Sequence, residues 1–279
     1  MTAALVTLAP ILLGHFVAGA ELDHRPFKNV APATVVALPS AALGREISVT
    51  VLLPSGYSAG DRRYPVLYLL HGNGQDHTAF ARRSWFPSLV SRDMIVVTPQ
   101  AGGSGRSGSS SDSPARYEDD FVRELVTFMD ASYRTIASAQ ARAVAGVSAG
   151  GREAMRLGLT HPHLFGAVGA ISATYDTPIE TSERTASWAP GGSVRRDRTP
   201  VALAGELAPG SAPLLYIACG TQDPELAGNR RFVDALARQQ IPYEYRELSP
   251  AGSWALWDGQ IPEFIDLLSR RWSQGAPSP

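Results

Sequence analysis

The sequence around Ser148 restricts the fold of this chain more than any other stretch. Residues 143–147 form an apolar run typical of a buried strand, and residues 152–159 can form a helix. Between them, Gly146, Ser148 and Gly150 form the pattern Gly-x-Ser-x-Gly, which predicts a sharp strand-to-helix turn with the serine at its apex. Glycine is expected at both flanking positions because a side chain there would collide with the neighbouring strand or helix. A simple turn of small residues is the alternative interpretation, since glycine and serine are common in this chain.

The rest of the chain alternates strand-like and helix-like segments. Strands are predicted at residues 34–38, 46–53, 65–70, 94–98, 141–145, 167–172, 214–219 and 243–248. Helical patterns cover residues 117–133, 152–159, 225–239 and 262–272. This alternation predicts an α/β fold, a mostly parallel sheet of about eight strands with helices on both faces. Residues 174–209 are rich in proline, glycine and arginine, and we interpret them as a candidate cap over the sheet.

Length and composition exclude several classes of protein. The 279 residues suffice for one full α/β domain, which we place at residues 31–273. The formal net charge is −1, and no basic run is interleaved with aromatic residues, so no nucleic-acid partner is expected. Cys219 is the only cysteine, so no intrachain disulfide can form, and its apolar neighbours predict a buried, inert thiol.

The amino-terminal segment predicts a secreted or cell-envelope protein. Residues 3–20 are nearly all apolar and end in Ala-Gly-Ala, which resembles a signal-peptidase site, so a mature form beginning at Glu21 is expected. A segment of this length could instead just span a bilayer and anchor the chain to the membrane. A cytoplasmic protein with a buried amino-terminal segment is the alternative, because no lysine or arginine precedes the apolar run.

Candidates for acyl-transfer chemistry cluster after the predicted strands. Such chemistry needs a nucleophile, a base, an acid that orients the base, and hydrogen-bond donors for the oxyanion. Ser148 is the candidate nucleophile, and Asp223, which follows the strand at residues 214–219, is the candidate acid. A helix cap is the alternative role for Asp223, because proline and a helical pattern follow it. The backbone N–H groups of Asn73 and Ala149 are the candidate oxyanion donors, and His71 is expected to hold the Asn73 loop by hydrogen bonding.

Four motifs occur together in an informative order. They are Leu69-Leu70-His71-Gly72, Gly146-Val147-Ser148-Ala149-Gly150-Gly151, Cys219-Gly220 through Asp223, and Ser253-Trp254 with Trp257. With them, the chain from about residue 34 to residue 272 resembles the esterase family of S-formylglutathione hydrolases, feruloyl esterases, enterochelin esterases and mycolyltransferases. The resemblance implies an α/β-hydrolase fold that uses no metal and no diffusible cofactor. It also implies a small-molecule or carbohydrate acyl ester as the substrate.

The chain departs from this family where the histidine base is expected. The family typically carries Gly-Gly-His-Ser-Trp after its last strand, whereas this chain has Gly252 followed directly by Ser253 and no histidine after Asp223. One interpretation is an esterase or acyltransferase scaffold whose activity is reduced or lost. A second is a working esterase in which His71 or His77 serves as a relocated base. A third is a non-catalytic pseudo-esterase that binds an acylated ligand or a protein partner.

Overall fold

A single sheet organises the structure. The computed structural model describes residues 25–26, 33–100, 118, 120–175, 199–208, 210–249 and 254–275. The amino-terminal segment, the position of the missing histidine at Gly252 and Ser253, and most of the candidate cap lie outside these residues. The strands are β1 (Arg25–Pro26), β2 (Ala33–Ser40), β3 (Arg45–Leu52), β4 (Val66–Leu70), β5 (Ile95–Pro99), β6 (Arg142–Val147), β7 (Ala167–Ile171), β8 (Leu214–Gly220) and β9 (Tyr243–Leu248).

The order of the strands confirms the predicted α/β-hydrolase architecture. Across the sheet the order is β1-β2-β3-β5-β4-β6-β7-β8-β9. Every pairing from β5 to β9 is parallel, whereas β1, β2 and β3 form an antiparallel edge that joins β5. All the predicted strands are present. The additional strand, β1, has two residues, which is too short for any periodic pattern to reveal.

Helices cover both faces of the sheet. They are α1 (Val126–Ser132), α2 (Ala149–Thr160), α3 (Pro200–Glu206), α4 (Leu226–Arg238) and α5 (Trp254–Gly275), and a π-helical turn, Asp120–Leu125, leads into α1. Helix α3 is the part of the candidate cap that the structure describes. In the described part of the chain, none of these helices has both the length and the apolarity needed to cross a bilayer.

Helix α5 begins earlier than the sequence pattern predicted. Its first residue is Trp254, and Pro262, where the helical pattern was expected to begin, lies inside it. Proline is common in the first turn of a helix, which made Pro262 a plausible start. The preceding turns are helical because the buried Leu256 and Ile261 pack against the sheet, and this tertiary contact outweighs the local signal.

The hydrophobic core has two layers, one on each face of the sheet. Along β4, Leu67 and Leu69 belong to one layer, whereas Val66, Tyr68 and Leu70 belong to the other, as the period of two in a strand requires. Apolar residues of α5 and of the segment 80–89 complete the first layer. Residues of α1, α2, α3 and α4 complete the second. Because both faces are covered, the carboxyl edge of the parallel strands is the accessible place for a site.

Candidate active site

Ser148 adopts the strained conformation that the motif predicts. It lies between β6 and α2 with φ +53° and ψ −122°, a region that residues other than glycine rarely occupy. Its N–H donates to the carbonyl oxygen of Ile171 at the end of β7, at 2.9 Å, and its own carbonyl oxygen accepts from the Arg152 N–H at 3.1 Å. The residue is half-buried. Such strain is typical of functional sites, where the surrounding structure holds a side chain in place.

The flanking glycines are required by close backbone contacts. A Cβ atom on Gly146 would meet the backbone of Gly150 and lie 2.8 Å from the nitrogen of Gly151. A Cβ atom on Gly150 would meet the carbonyl oxygens of Leu70 and His71 and lie 2.7 Å from the carbonyl carbon of Leu70. Since all of these neighbours are backbone atoms, no side-chain movement can make room. The glycines therefore allow α2 to begin directly against β4 and β6.

Asp223 lies at the same edge of the sheet, in the loop after β8. It is buried, with 8% of its surface exposed, and its Oδ1 accepts from the Glu225 N–H at 2.9 Å. Its other oxygen, Oδ2, is buried and has no hydrogen-bond partner among the described residues. Only β7 separates β6 from β8, so the loops of Ser148 and Asp223 begin about two strand spacings, or about 10 Å, apart.

The end of β9 contacts the loop that contains Asp223. The N–H of Thr221 donates to the carbonyl oxygen of Leu248, the last residue of β9, at 2.8 Å. The end of β9 therefore lies next to the loop of Asp223.

The loop with the predicted oxyanion donor Asn73 contacts the serine turn. Gly72 lies so close to Ser148 that a Cβ atom on it would be 3.4 Å from the serine Cβ. A tight turn follows, in which the Gln75 N–H donates to the Gly72 carbonyl oxygen at 3.3 Å and Gly74 has φ +74°. Among the described turn and loop hydrogen bonds, neither the Asn73 nor the Ala149 N–H has an acceptor.

His71 is buried beside this loop. Only 1% of the surface of His71 is exposed, and its Nδ1–H donates to the carbonyl oxygen of Gly72 at 3.0 Å. This bond agrees with the expected role of His71 in holding the loop. Burial lowers the pKa of His71, and the charged groups that act on its ring include Asp76.

His77 and His161 lie far from Ser148. His77 Nδ1 is 2.8 Å from the hydroxyl of Thr50, which belongs to β3. Since β3 lies three strands from β6, this places the His77 ring about 14 Å across the sheet from the start of the Ser148 turn. His161 follows the last residue of α2, a helix of 12 residues, so it is about 18 Å from Ser148 along the axis. The structure therefore does not bring His77 or His161 to the serine.

Two residues at this edge were not singled out from the sequence. Ser172 follows β7, between the strands of Ser148 and Asp223, with φ +50° and a buried hydroxyl that has no partner among the described residues. Asn229 of α4 is fully buried, and its Nδ2 donates to the Ala173 carbonyl oxygen at 2.8 Å. Ser172 could have been found from the sequence, because it lies at the end of a predicted parallel strand and such strands end at the edge where sites form. Nothing in the sequence distinguishes Asn229 from a surface residue of an amphipathic helix.

A cleft of about 370 Å³ opens beside the Asn73 loop. It is lined by Gly74, Gln75, Asp76, Ala79, Arg82, Arg83 and Trp254. The guanidinium of Arg83 lies over the Trp254 ring at 4.4 Å and also donates through Nε to Asp258 at 2.9 Å. The volume of the cleft falls in the range of small-molecule sites. Among the described residues, no three histidine, cysteine or acidic side chains converge to hold a metal ion.

His71, which is buried, and His77, which is partly buried, make a pH dependence of stability predictable. Burial lowers the pKa of His71 and of His77 below the value of about 6.5 that both have in the unfolded chain. The unfolded state therefore takes up protons first as the pH falls, and the free energy of unfolding should decrease from pH 7.5 to pH 5.5. Urea unfolding at both values measures this, and His77→Asn, which keeps a polar atom near Nδ1, should show a smaller decrease. An equal decrease in both proteins would contradict the assignment for His77.

Comparison with protein families gives a match over most of the chain. Residues 40–266 match the family Esterase, described as "Putative esterase". Esterase Rv1288 of Mycobacterium tuberculosis is 36% identical over 122 residues, which cover 42% of this chain and 27% of that protein. Mycolyltransferase Ag85B of Mycobacterium intracellulare is 29% identical over 190 residues, 62% of this chain and 53% of that protein. The chain thus matches only about a quarter to a half of the length of these relatives.

A solved structure extends the similarity to the fold. A ferulic acid esterase superposes with a TM-score of 0.74 at 26% sequence identity, covering 86% of this chain and 98% of that one. The family match and this superposition agree with the strand order. The chain belongs to the Esterase family.

Proposed function

We propose that this chain is a serine-dependent carboxylic-ester hydrolase or acyltransferase scaffold. In this proposal Ser148 is the nucleophile, Asp223 is the acid, and the N–H groups of Asn73 and Ala149 stabilise the oxyanion. The observation that carries it is the strained Ser148 at the head of α2, with a buried carboxylate two strands away whose Oδ2 has no partner among the described residues. A serine and a buried carboxylate are the two residues that flank the histidine in a catalytic triad, so this arrangement supports the proposal.

The missing base sets the expected activity. A serine hydroxyl is a weak nucleophile unless a neighbouring base takes its proton. Loss of one triad member costs about 10⁴ to 10⁶ in rate, and the oxyanion donors and substrate binding retain about 10³ over water. We therefore propose a low basal activity for this chain, on a site that is otherwise arranged for acyl transfer.

A relocated base receives little support. His77 bonds to Thr50 on β3, far across the sheet from Ser148. His71 is closer, and its burial and its Nδ1–H bond to the Gly72 carbonyl oxygen support a role in holding the loop. The proposal therefore assigns the proton-transfer role to neither histidine.

We propose a small-molecule or carbohydrate acyl ester as the ligand. The solved relative named a ferulic acid esterase supports an aromatic acyl group, and the relative named a mycolyltransferase supports transfer of the acyl group to an acceptor other than water. The cleft beside Gly74 and Trp254 borders the predicted oxyanion loop and has the size of a small-molecule site. A non-catalytic role in binding acylated ligands is the outcome if the serine proves unreactive.

We also propose that the protein is exported from the cytoplasm. The apolar segment at residues 3–20 predicts a cleaved signal sequence or an anchor. Mass spectrometry of the protein from its native host should find a mature form that begins at Glu21. A form that retains Met1 in the soluble fraction of the cytoplasm would contradict export.

Labelling with a fluorophosphonate tests the nucleophile. The hydroxyl of Ser148 should attack phosphorus and displace fluoride, and the reaction should be slow because no base takes the proton. Peptide mass spectrometry should find the label on Ser148, and Ser148→Ala should remove it. Ser172→Ala serves as the matched control for labelling of a second serine at the same edge of the sheet. Labelling at another residue, or none after long incubation, would favour the binding role over the esterase.

A further inference from the structure

The cleft beside the Asn73 loop is lined by polar side chains that are only partly used within the protein. These side chains are Gln75, Asp76, Arg82 and Arg83. Each of them makes hydrogen bonds to neighbouring residues, and the donors and acceptors that remain decide which chemical group a ligand must present.

Gln75 lies between the cleft and the serine. Its Oε1 accepts from the Gly72 N–H at 3.0 Å, and this bond determines the orientation of the amide. Gln75 Oε1 and Ser148 Cβ both lie within 3.7 Å of the position that a Cβ on Gly72 would take. Gln75 is half-buried, and its Nε2 has no acceptor among the described residues. Gln75 Nε2 is therefore a hydrogen-bond donor near the serine, on a side chain that lines the cleft.

Arg83 is held in place by two neighbours. Its Nε donates to Asp258 Oδ1 at 2.9 Å, its Nη2 donates to Asp258 Oδ2, and its guanidinium lies over the Trp254 ring at 4.4 Å. Asp258 also accepts from Trp85 Nε1 at 2.8 Å. The third nitrogen of Arg83, Nη1, has no acceptor in the described part of the chain. Because the guanidinium is already fixed, a ligand that binds Nη1 loses little affinity to the ordering of this side chain.

Arg82 provides further donors. Its Nη2 donates to Asp76 Oδ2 at 3.2 Å, whereas its Nε and Nη1 have no acceptor among the residues that the structure describes. Asp76 Oδ1 accepts from the N–H of Thr78 at 2.8 Å and from its hydroxyl. Both oxygens of Asp76 are thus engaged within the protein, as are both oxygens of Asp258. The unused side-chain groups of the described lining are nitrogen donors.

A group that only accepts hydrogen bonds fits such a lining. An amide or a hydroxyl would also bring N–H or O–H groups, and the carboxylates that could accept from them are already engaged. A carboxylate brings acceptors alone, and its hydrogen bonds to guanidinium groups are charge-assisted. Asp76 and Asp258 balance the charges of Arg82 and Arg83, so the directed donors, and not a net charge, select the ligand.

We propose that Gln75, Arg82 and Arg83 bind a free carboxylate of an ester whose ester group lies at Ser148. This inference rests on the proposed function, because it takes Ser148 as the group that meets the ester. It narrows the ligand to esters that carry a second, ionised carboxyl group. Gln75 is then a specificity-determining residue, since its Oε1 holds the loop at Gly72 while its Nε2 contacts the ligand.

Two isomeric esters provide the experiment. Monomethyl adipate carries its carboxylate on the acyl part, and 5-acetoxypentanoate carries it on the alcohol part. Each is compared with its own primary amide by calorimetric titration of the full chain, which requires no turnover. At least one acid should bind about 10-fold more tightly than its amide, because charge-assisted hydrogen bonds are about twice as strong as neutral ones. The same acid should slow fluorophosphonate labelling of Ser148 in a saturable way, since it covers the serine.

Gln75→Glu tests the donor directly. Glutamate keeps an oxygen for the Gly72 N–H, but it replaces the Nε2 donor by an acceptor of nearly the same shape. With folding checked by thermal unfolding, this variant should weaken binding of the acid by about 10-fold and leave binding of the amide nearly unchanged.

Arg82→Leu and Arg62→Leu form a matched pair. Both arginines are exposed and paired with one aspartate, but Arg62 pairs with Asp93 and precedes β4, at the opposite end of that strand from the Asn73 loop. Both variants remove one positive charge from the protein. Only Arg82→Leu should weaken binding of the acid, because only its donors line the cleft.

The outcomes separate this inference from the proposed function. Equal affinities of each acid and its amide, or equal effects of Arg82→Leu and Arg62→Leu, would overturn the carboxylate site. An acid that binds without slowing the labelling would also overturn it, because the cleft would then not belong to the serine site. In these cases the labelling of Ser148 still supports the proposed function. If the acids bind as expected while Ser148 is never labelled, the proposed function fails and the carboxylate site stands.

Discussion

Inserting one histidine between Gly252 and Ser253 is expected to raise the rate of p-nitrophenyl acetate hydrolysis by about 10² to 10⁴. The insertion restores the family spacing between the histidine and Trp254. The hydrogen bond from Thr221 to Leu248 brings the end of β9 beside the loop of Asp223, and we expect a histidine inserted a few residues later to reach that carboxylate. The imidazole should then donate to Oδ2, which has no partner among the described residues, and take the proton of Ser148.

Two matched proteins control this gain of function. Insertion of alanine at the same place lengthens the loop equally and should leave the rate at the level of the parent. Asp223→Asn in the histidine-bearing protein should remove most of the gain, because the imidazole then lacks the carboxylate that orients it. A folded protein that gains nothing from the histidine would contradict the proposed alignment of Ser148 and Asp223. High activity in the parent that disappears with His71→Ala would instead identify a relocated base.

Gly150→Ala should destabilise the fold by about 3 kcal/mol or more, the upper part of the range for overpacked sites. The new methyl group would meet the carbonyl oxygens of Leu70 and His71, and these are backbone atoms of β4 and its loop. In a helix, alanine is otherwise favoured over glycine by about 1 kcal/mol, so the sign of the effect depends on this contact alone. Urea unfolding gives the change in the free energy of unfolding.

The matched control is Gly259→Ala in α5. Gly259 is exposed, its φ is not positive, and no atom lies within 4 Å of the position that a Cβ would take. This variant should therefore be more stable than the parent by about 1 kcal/mol, through helix propensity alone. If Gly150→Ala proves as stable as Gly259→Ala, α2 does not begin against β4 in the way that the structure describes.

The two glycine variants separate local from tertiary requirements. Both residues lie in helices, and helix propensity alone predicts the same benefit from alanine at each. Gly150 differs because the first turn of α2 passes against the ends of β4 and β6, which are distant in sequence. The glycine is thus needed by the packing that positions Ser148, and the helix itself would form more readily without it.

Local patterns in the sequence were sufficient to predict most of the architecture. Continuous apolar runs such as residues 65–70 mark parallel strands, because those strands are buried on both faces. The turn at Ser148 was predictable for the same kind of reason, since few residue types can occupy such a tight strand-to-helix connection. The position of Asp223 after β8 also follows from chain order. The start of α5 did not, because buried contacts of Leu256 and Ile261 extend that helix before Pro262.

Only the tertiary structure decided which polar groups meet. The sequence presents His71 and His77, six residues apart, as equivalent candidates for a relocated base. In the structure, the His77 ring is hydrogen-bonded to Thr50 on β3, three strands from β6. Likewise, Asn229 of α4 comes to this edge of the sheet only through the fold, where its Nδ2 donates to the carbonyl oxygen of Ala173, the residue after Ser172. Periodicity depends on neighbours along the chain, whereas burial and hydrogen-bond partners depend on strand order and packing between residues far apart in sequence. The missing histidine was therefore visible in the sequence, whereas the buried Asp223 Oδ2, which has no partner in the described part of the chain, was visible only in the fold.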